Sequence, residues 1–237
     1  MELKIFKDKI TVAKEFCDFF VDLLKAKEGL TVALSGGSTP KVVFDYLAGH
    51  DTAIDWSKVK FFWGDERCVP PTDEESNYKM TVEHLFSKIN VPEENIFRIK
   101  GEADPEVEAE RYANILNDKL PLAKGIPYFD LVILGMGDDG HTASVFPHQI
   151  ELWRANKNCV VATHPDSGQK RVSITGKVIN NANTVVFLVT GAGKAEKVEE
   201  ILNKEEGYEQ YPASLVNPDS QQLVWFMDKA AAEKLSK

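Results

Sequence analysis

Apolar positions along the chain change their spacing in a regular alternation. Over residues 9–27, Ile10, Ala13, Phe16, Cys17, Phe20 and Leu24 recur at helical intervals, and Gly29 marks a stop before the apolar run Leu30–Leu34. The first segment predicts an amphipathic helix and the second a buried strand. The alternation continues with a helix from Pro40, a strand over Val59–Trp63, a helix from about Asn77, a short strand at 96–98, a helix from Pro105 and a strand over Leu131–Leu134. Farther on, residues 159–162, 172–174, 185–189 and 223–226 predict strands, with helices from Lys194 and near Lys229.

Short strands rich in Val, Ile, Leu and Phe, alternating with helical patterns, imply an α/β fold. Its sheet is expected to be mostly parallel, covered by helices on both faces, in a Rossmann-like, doubly wound single domain over residues 1–237. Such sheets bind ligands beyond the carboxyl ends of their strands, where the strand order reverses. The loops that follow strands therefore carry the chemistry: SGGSTP after Leu34, GDERCVP after Trp63, GMGDDGHTASVFP after Leu134 and GAGK after Thr190.

Composition narrows the class of partner. A hydrophobic content of 43% in 237 residues fills one sizeable core. No stretch approaches the roughly 18 apolar residues of a membrane span, and the N-terminal segment mixes charge with apolar residues, unlike a signal peptide. A soluble, cytoplasmic protein is expected, with no membrane partner. Cys17, Cys68 and Cys159 are odd in number and widely separated, which predicts reduced thiols rather than disulfides or a zinc site. The net charge of -9 argues against a nucleic-acid partner. It also means that any phosphorylated ligand needs a local cluster of cations and N–H donors.

The loop Ser35-Gly36-Gly37-Ser38-Thr39-Pro40 has the makings of an anion site. Its glycines let backbone approach a ligand, its hydroxyls can donate, and Pro40 suits the first turn of a helix whose free N–H groups attract phosphate. An ordinary tight turn would explain the glycines and proline but not the Ser-Thr pair. A serine-hydrolase elbow centred on Ser35 would need glycine at Ala33.

Residues 135–140 spell G-x-G-x-x-G after a strand, yet they suit a dinucleotide poorly. Asp138 and Asp139 stand where a pyrophosphate needs N–H donors, Pro147 interrupts the helix that should follow, and no acidic residue lies about 20 positions on. The alternative is that these side chains are themselves the chemistry. A carboxylate can fix the tautomer of a nearby imidazole and hold it as a general base, and the spacing Asp139-x-His141 permits that pairing. His50, His84, His148 and His164 have no comparable sequence setting. There is no H-E-x-x-H and no Cys/His cluster, so no metal is expected.

Asp65-Glu66-Arg67 places charge at the end of a buried strand, where either a ligand contact or a surface salt-bridge loop would fit. Arg171 opens a strand after a polar loop, and Lys194 begins a helix in GAGK, which lacks the full nucleotide-binding loop pattern. With the Ser-Thr loop these are candidates for the basic cluster.

In this order, LSGGSTP, WGDERCVP, GMGDDGHTASVFP, KRVSIT, VVFLVTGAGKAE and YPASLV resemble the 6-phosphogluconolactonase family, within the wider glucosamine-6-phosphate isomerase superfamily, over nearly the whole chain. The resemblance implies hydrolysis of a sugar-phosphate lactone in the oxidative pentose phosphate route, without metal or organic cofactor. It implies that Gly36, Gly37, Ser38 and Thr39 cradle the 6-phosphate with Arg171 and Lys194, and that His141, oriented by Asp139, activates water. Arg67 would lie near the reacting end, and Asp65 matches an acid that shuttles protons in the sister deaminases. Those deaminases carry Asp-Glu-Tyr and Gly-His-Ile-Ala-Phe-Asn-Glu-Pro, where this chain has DER and GHTASVFP.

Overall fold

The computed structural model describes residues 1–50 and 54–235. Its strands are β1 (Glu2–Phe6), β2 (Leu30–Leu34), β3 (Val59–Trp63), β4 (Asp65–Arg67), β5 (Leu122–Ala123), β6 (Ile126–Pro127), β7 (Leu131–Leu134), β8 (Cys159–Thr163), β9 (Lys170–Ile174), β10 (Val185–Val189) and β11 (Leu223–Asp228). The helices are α1 (Lys9–Lys25), α2 (Ser38–Ala48), α3 (Asn77–His84), α4 (Pro105–Lys119), α5 (Gly176–Asn180) and α6 (Ala195–Leu202). Six strands form a central sheet in the order β1-β11-β10-β7-β2-β3, with every neighbouring pair parallel. Helices flank it, as the alternating pattern requires. Successive β11 residues point to opposite faces, so Phe226 meets Phe16 and Phe19 of α1 while Trp225 stacks on Phe187.

The chain winds outward from β2 to β3 and returns on the other side of β2 to β7, β10 and β11. The strand order therefore reverses between β2 and β7. Only Val32↔Leu131 and Ala33↔Val132 register these two strands, and Asp130 clamps their entry. Its carboxylate accepts the Thr31 N–H and hydroxyl at 2.9 Å each and pairs with Lys27, while Asn183 Nδ2 adds a bond at 3.2 Å. Burial raises the cost of the Asp130 charge, but Lys27 and the Thr31 donors outweigh it and hold the carboxyl below its ordinary range.

The strands expected at 159–162 and 172–174 are present, and with β4 they form a separate antiparallel sheet in the order β4-β9-β8. Two expectations are corrected. Residues 96–98 make one bridge, Phe61↔Ile96, because the Arg98 carbonyl is taken by the Arg111 side chain at 3.0 Å. Near Lys229 there is only a turn: Asp228 accepts the Ala231 N–H at 2.8 Å and its carbonyl the Ala232 N–H at 3.1 Å. β1 went unread because its charges interrupt a half-exposed edge. Among the described residues no helix is long and apolar enough to cross a membrane.

Asp130→Ala should destabilise the protein by about 2–4 kcal/mol, since it removes the ion pair and leaves the Thr31 donors without their acceptor. Urea unfolding followed by tryptophan fluorescence measures this.

Candidate active site

The loops leaving β2 and β7 diverge at the order reversal and open a crevice of about 160 Å³. Ser35, Gly36 and Gly37 line it from the first loop, and Gly135, Met136, Gly137, His141 and Ala143 from the second. Asp65 and Arg67 of β4, Asn77 of α3 and Arg171 of β9 complete it. A larger cavity of about 860 Å³ between α4 and β8 carries Asn114, Asn117, Asn156 and Asn158. It has neither a histidine nor paired guanidiniums, so the smaller crevice is the candidate site.

His141 Nδ1 lies 2.6 Å from Asp139 Oδ1, which also accepts the His141 backbone N–H at 3.1 Å. The ring rests on Phe146, with centroids 4.6 Å apart. Burial works against the Asp139 charge, but the His141 hydrogen bond and charge prevail and lower its pKa to about 2. An ionised carboxylate can only accept, so Nδ1 is the donor in this pair. Gly137 makes the arrangement possible: a Cβ there would lie 2.1 Å from His141 Nδ1 and 2.5 Å from Asp139 Oδ1. Ala143, at φ 48°, adopts a left-handed conformation uncommon for alanine, between the Thr142 hydroxyl bonded to the Gly135 carbonyl and the Ser144 N–H bonded to Ser173 Oγ.

The antiparallel sheet supplies the cations. Register pairs Arg67 with Arg171 directly across β4 and β9, and among the described residues neither guanidinium forms an ion pair with a carboxylate. Arg67 Nη1 donates to the Glu75 carbonyl at 2.9 Å and Arg171 Nε to Gln169 Oε1 at 3.3 Å, while Gln169 Nε2 ties back to Glu75 Oε2 at 2.9 Å. Burial, and after it the Arg67 charge, pushes Arg171 below the usual guanidinium range. Two adjacent guanidiniums, neither in an ion pair with a carboxylate, make this the candidate anion site of an acidic chain.

The neighbouring carboxylates serve as struts. Asp65 is buried and accepts from Ser144 Oγ at 2.5 Å, which ties β4 to the β7 loop, and its backbone carbonyl accepts from Asn77 Nδ2 at 2.9 Å. Asn77 packs so tightly on the phosphate-loop candidate that a Cβ on Gly36 would meet Asn77 Oδ1 at 1.9 Å. Glu66, also buried, accepts the N–H groups of Asn77 and Tyr78 at the start of α3 at 2.7 and 2.8 Å.

Of the predicted phosphate contacts, Gly36, Gly37 and Arg171 line the crevice. Ser38 and Thr39 begin α2 beside it, with no side chain capping the helix and Thr39 Oγ1 bonded to Thr190 Oγ1 at 2.7 Å. Lys194 lies outside the lining, in an ion pair with Asp138 at 2.5 Å. Ser35 Oγ is buried without a partner. Asn77, Ser144 and Gln169 escaped the sequence reading because their roles arise from contacts distant in the chain. His148 and His164 do share a setting with His141: their rings lie 5.8 and 5.3 Å from Phe146. Among the described residues no group of three His, Cys, Asp or Glu side chains is placed to hold a metal ion.

The profile of the family described as glucosamine-6-phosphate isomerases/6-phosphogluconolactonase matches residues 9–225. The chain belongs to this family. Among its members, a 6-phosphogluconolactonase of Treponema pallidum is 46% identical over 203 residues, covering 85% of this chain and 84% of the relative. One of Haemophilus influenzae is 43% identical, covering 91% and 92%. A crystal structure of a protein named devB superposes with a TM-score of 0.95 at 44% identity, covering 99% of each chain. A 6-phosphogluconolactonase from Trypanosoma brucei gives 0.87 at 29% identity, covering 99% and 98%.

Gly137→Ala should displace the imidazole from Asp139 while leaving the sheet intact, seen as loss of the protected His141 Nδ1–H signal in nitrogen-15 NMR. Asp139, lowered from 3.8 to about 2, contributes stability above its ordinary value and loses that contribution as pH falls through about 2. Because the side chain is 41% exposed, screening holds the effect to about 1 kcal/mol or less. Acid unfolding of Asp139→Asn should be correspondingly shallower over that interval.

Proposed function

We propose that this chain hydrolyses 6-phospho-D-glucono-1,5-lactone to 6-phospho-D-gluconate, with His141 as general base. The observation that carries the reading is one crevice holding an imidazole fixed by an ionised carboxylate beside two unpaired guanidiniums. Close family relatives named as 6-phosphogluconolactonases over most of their length support the same substrate. The reaction belongs to the oxidative pentose phosphate pathway, and the three free thiols suit a cytoplasmic setting.

In this reading, Nε2 of His141 takes a proton from water as its oxygen attacks the lactone carbonyl. The tetrahedral oxyanion develops beside Arg67, whose charge lowers its energy. Collapse breaks the bond from the carbonyl carbon to the ring oxygen, and the imidazolium returns its proton to that oxygen. The phosphate rests on the N–H groups of Gly36, Gly37, Ser38 and Thr39 at the start of α2, facing Arg171. Asp65 positions rather than reacts, through Ser144 and Asn77. Lys194 reaches the phosphate by leaving Asp138, an exposed pair that costs little to break.

The lactone, generated in situ, is followed against its spontaneous hydrolysis. Wild-type protein should accelerate its loss, and His141→Gln should lower kcat by about 10²–10⁴-fold with KM little changed. Arg171→Ala should raise KM by about 10–100-fold, and Lys194→Ala by less. No acceleration by wild type rejects the substrate; full turnover by His141→Gln rejects the base.

A further inference from the structure

The two edges of the central sheet are finished differently. At β3, the Phe97 N–H binds the Phe61 carbonyl at 2.8 Å, and Tyr112 Oη both accepts the Trp63 N–H at 2.8 Å and donates to the Trp63 carbonyl at 2.9 Å. That edge is closed. At the other side β1 pairs only with β11 among the described residues. The Lys229 N–H donates to the Phe6 carbonyl at 2.8 Å, so Phe6, and by alternation Lys4 and Glu2, turn their backbone groups toward β11. Met1, Leu3 and Ile5 turn theirs outward.

Open edges are normally guarded by proline, bulges or charged side chains, inward-pointing ones included. β1 has no proline, and its one lysine lies inward, with the Lys4 ammonium 5.6 and 5.4 Å from the Phe19 and Phe226 rings. Met1, Leu3 and Ile5 are 67%, 42% and 45% exposed on the opposite face. One face of the edge is apolar, while Glu2 and Lys4, 3.7 Å apart within the chain, put its charges on the other.

We propose that β1 is a homodimer edge: two copies of the chain pair antiparallel through β1 about a two-fold axis at Leu3, joining their sheets into one. The sequence Met1-Glu2-Leu3-Lys4-Ile5 is self-complementary in that register. Leu3 faces Leu3 of the second copy and Met1 faces Ile5, all with outward backbone groups, which makes these the hydrogen-bonded pairs. Glu2 faces Lys4 twice, at the closer non-hydrogen-bonded positions where opposite charges attract. The apolar side chains then form one stripe across the joint. Centring on Lys4 or Glu2 would oppose like charges and use residues whose backbone groups face inward. Centring on Ile5 sets Leu3 against Lys7 and loses both ion pairs. A two-fold joint of this kind closes on itself and does not propagate.

Sedimentation velocity over concentrations up to about 100 μM tests the proposal. Wild type should show a reversible monomer–dimer equilibrium. Lys4→Glu, which turns two attractions into two repulsions, should raise the dissociation constant about ten-fold or more, and the double change Glu2→Lys/Lys4→Glu should restore it. Leu3→Arg, at a solvent-exposed position, should give a folded monomer with unaltered lactone turnover. A wild-type monomer at every concentration, a dimer indifferent to Leu3→Arg, or a charge swap that fails to restore association overturns the proposal.

Discussion

Everything in the site depends on the joint between β2 and β7. Few residues of the two strands register, and what fixes them is the Asp130 carboxylate, ionised at the strand entries and gripping Thr31 and Lys27. With the entries pinned, the two chains run parallel for a short distance and their loops must part, because each continues toward a different side of the sheet. The crevice is the geometric consequence of that parting. A half-buried charge at one end of the strands thus sets the space at the other.

Inside that space the protein solves an electrostatic problem. A chain of net charge -9 repels a phosphorylated ligand at long range, so attraction has to be generated locally. The antiparallel β4-β9-β8 sheet does this by setting two arginines opposite each other and satisfying them with the neutral acceptors of Glu75 and Gln169 rather than with carboxylates. The acids nearby are already committed: Glu66 to the start of α3, Asp65 to Ser144, Asp139 to His141. Glycines supply the close approaches, most sharply Gly36 under Asn77 and Gly137 under the imidazole.

Much of this was legible in the sequence, for identifiable reasons. Val59–Trp63, Leu131–Leu134 and Val185–Val189 are continuous apolar runs, and such runs mark strands buried on both faces. The loops behind the first two line the crevice, and the spacing Asp139-x-His141 anticipated the carboxylate–imidazole pair found there. What stayed hidden was partnership. An apolar run does not state its neighbour, so the membership of 159–163 and 170–174 in a second sheet was unreadable. Asn77 reads as the start of a helix until the fold brings it against Gly36. The Asp138 partner of Lys194, 56 positions away, is equally invisible in the sequence. β1 was missed because an edge strand with one exposed face alternates apolar and charged residues over too short a span.

The central claim is that ligand and chemistry meet where the β2 and β7 loops part. Titration of isotope-labelled protein with 6-phosphogluconate, followed by backbone and arginine side-chain NMR, tests it most directly. The account predicts the largest shifts at Gly36, Gly37, Ser38, Thr39 and Gly137 and at the Arg171 Nε–H. Shifts concentrated at Asn114, Asn117, Asn156 and Asn158, in the larger cavity between α4 and β8, would contradict it.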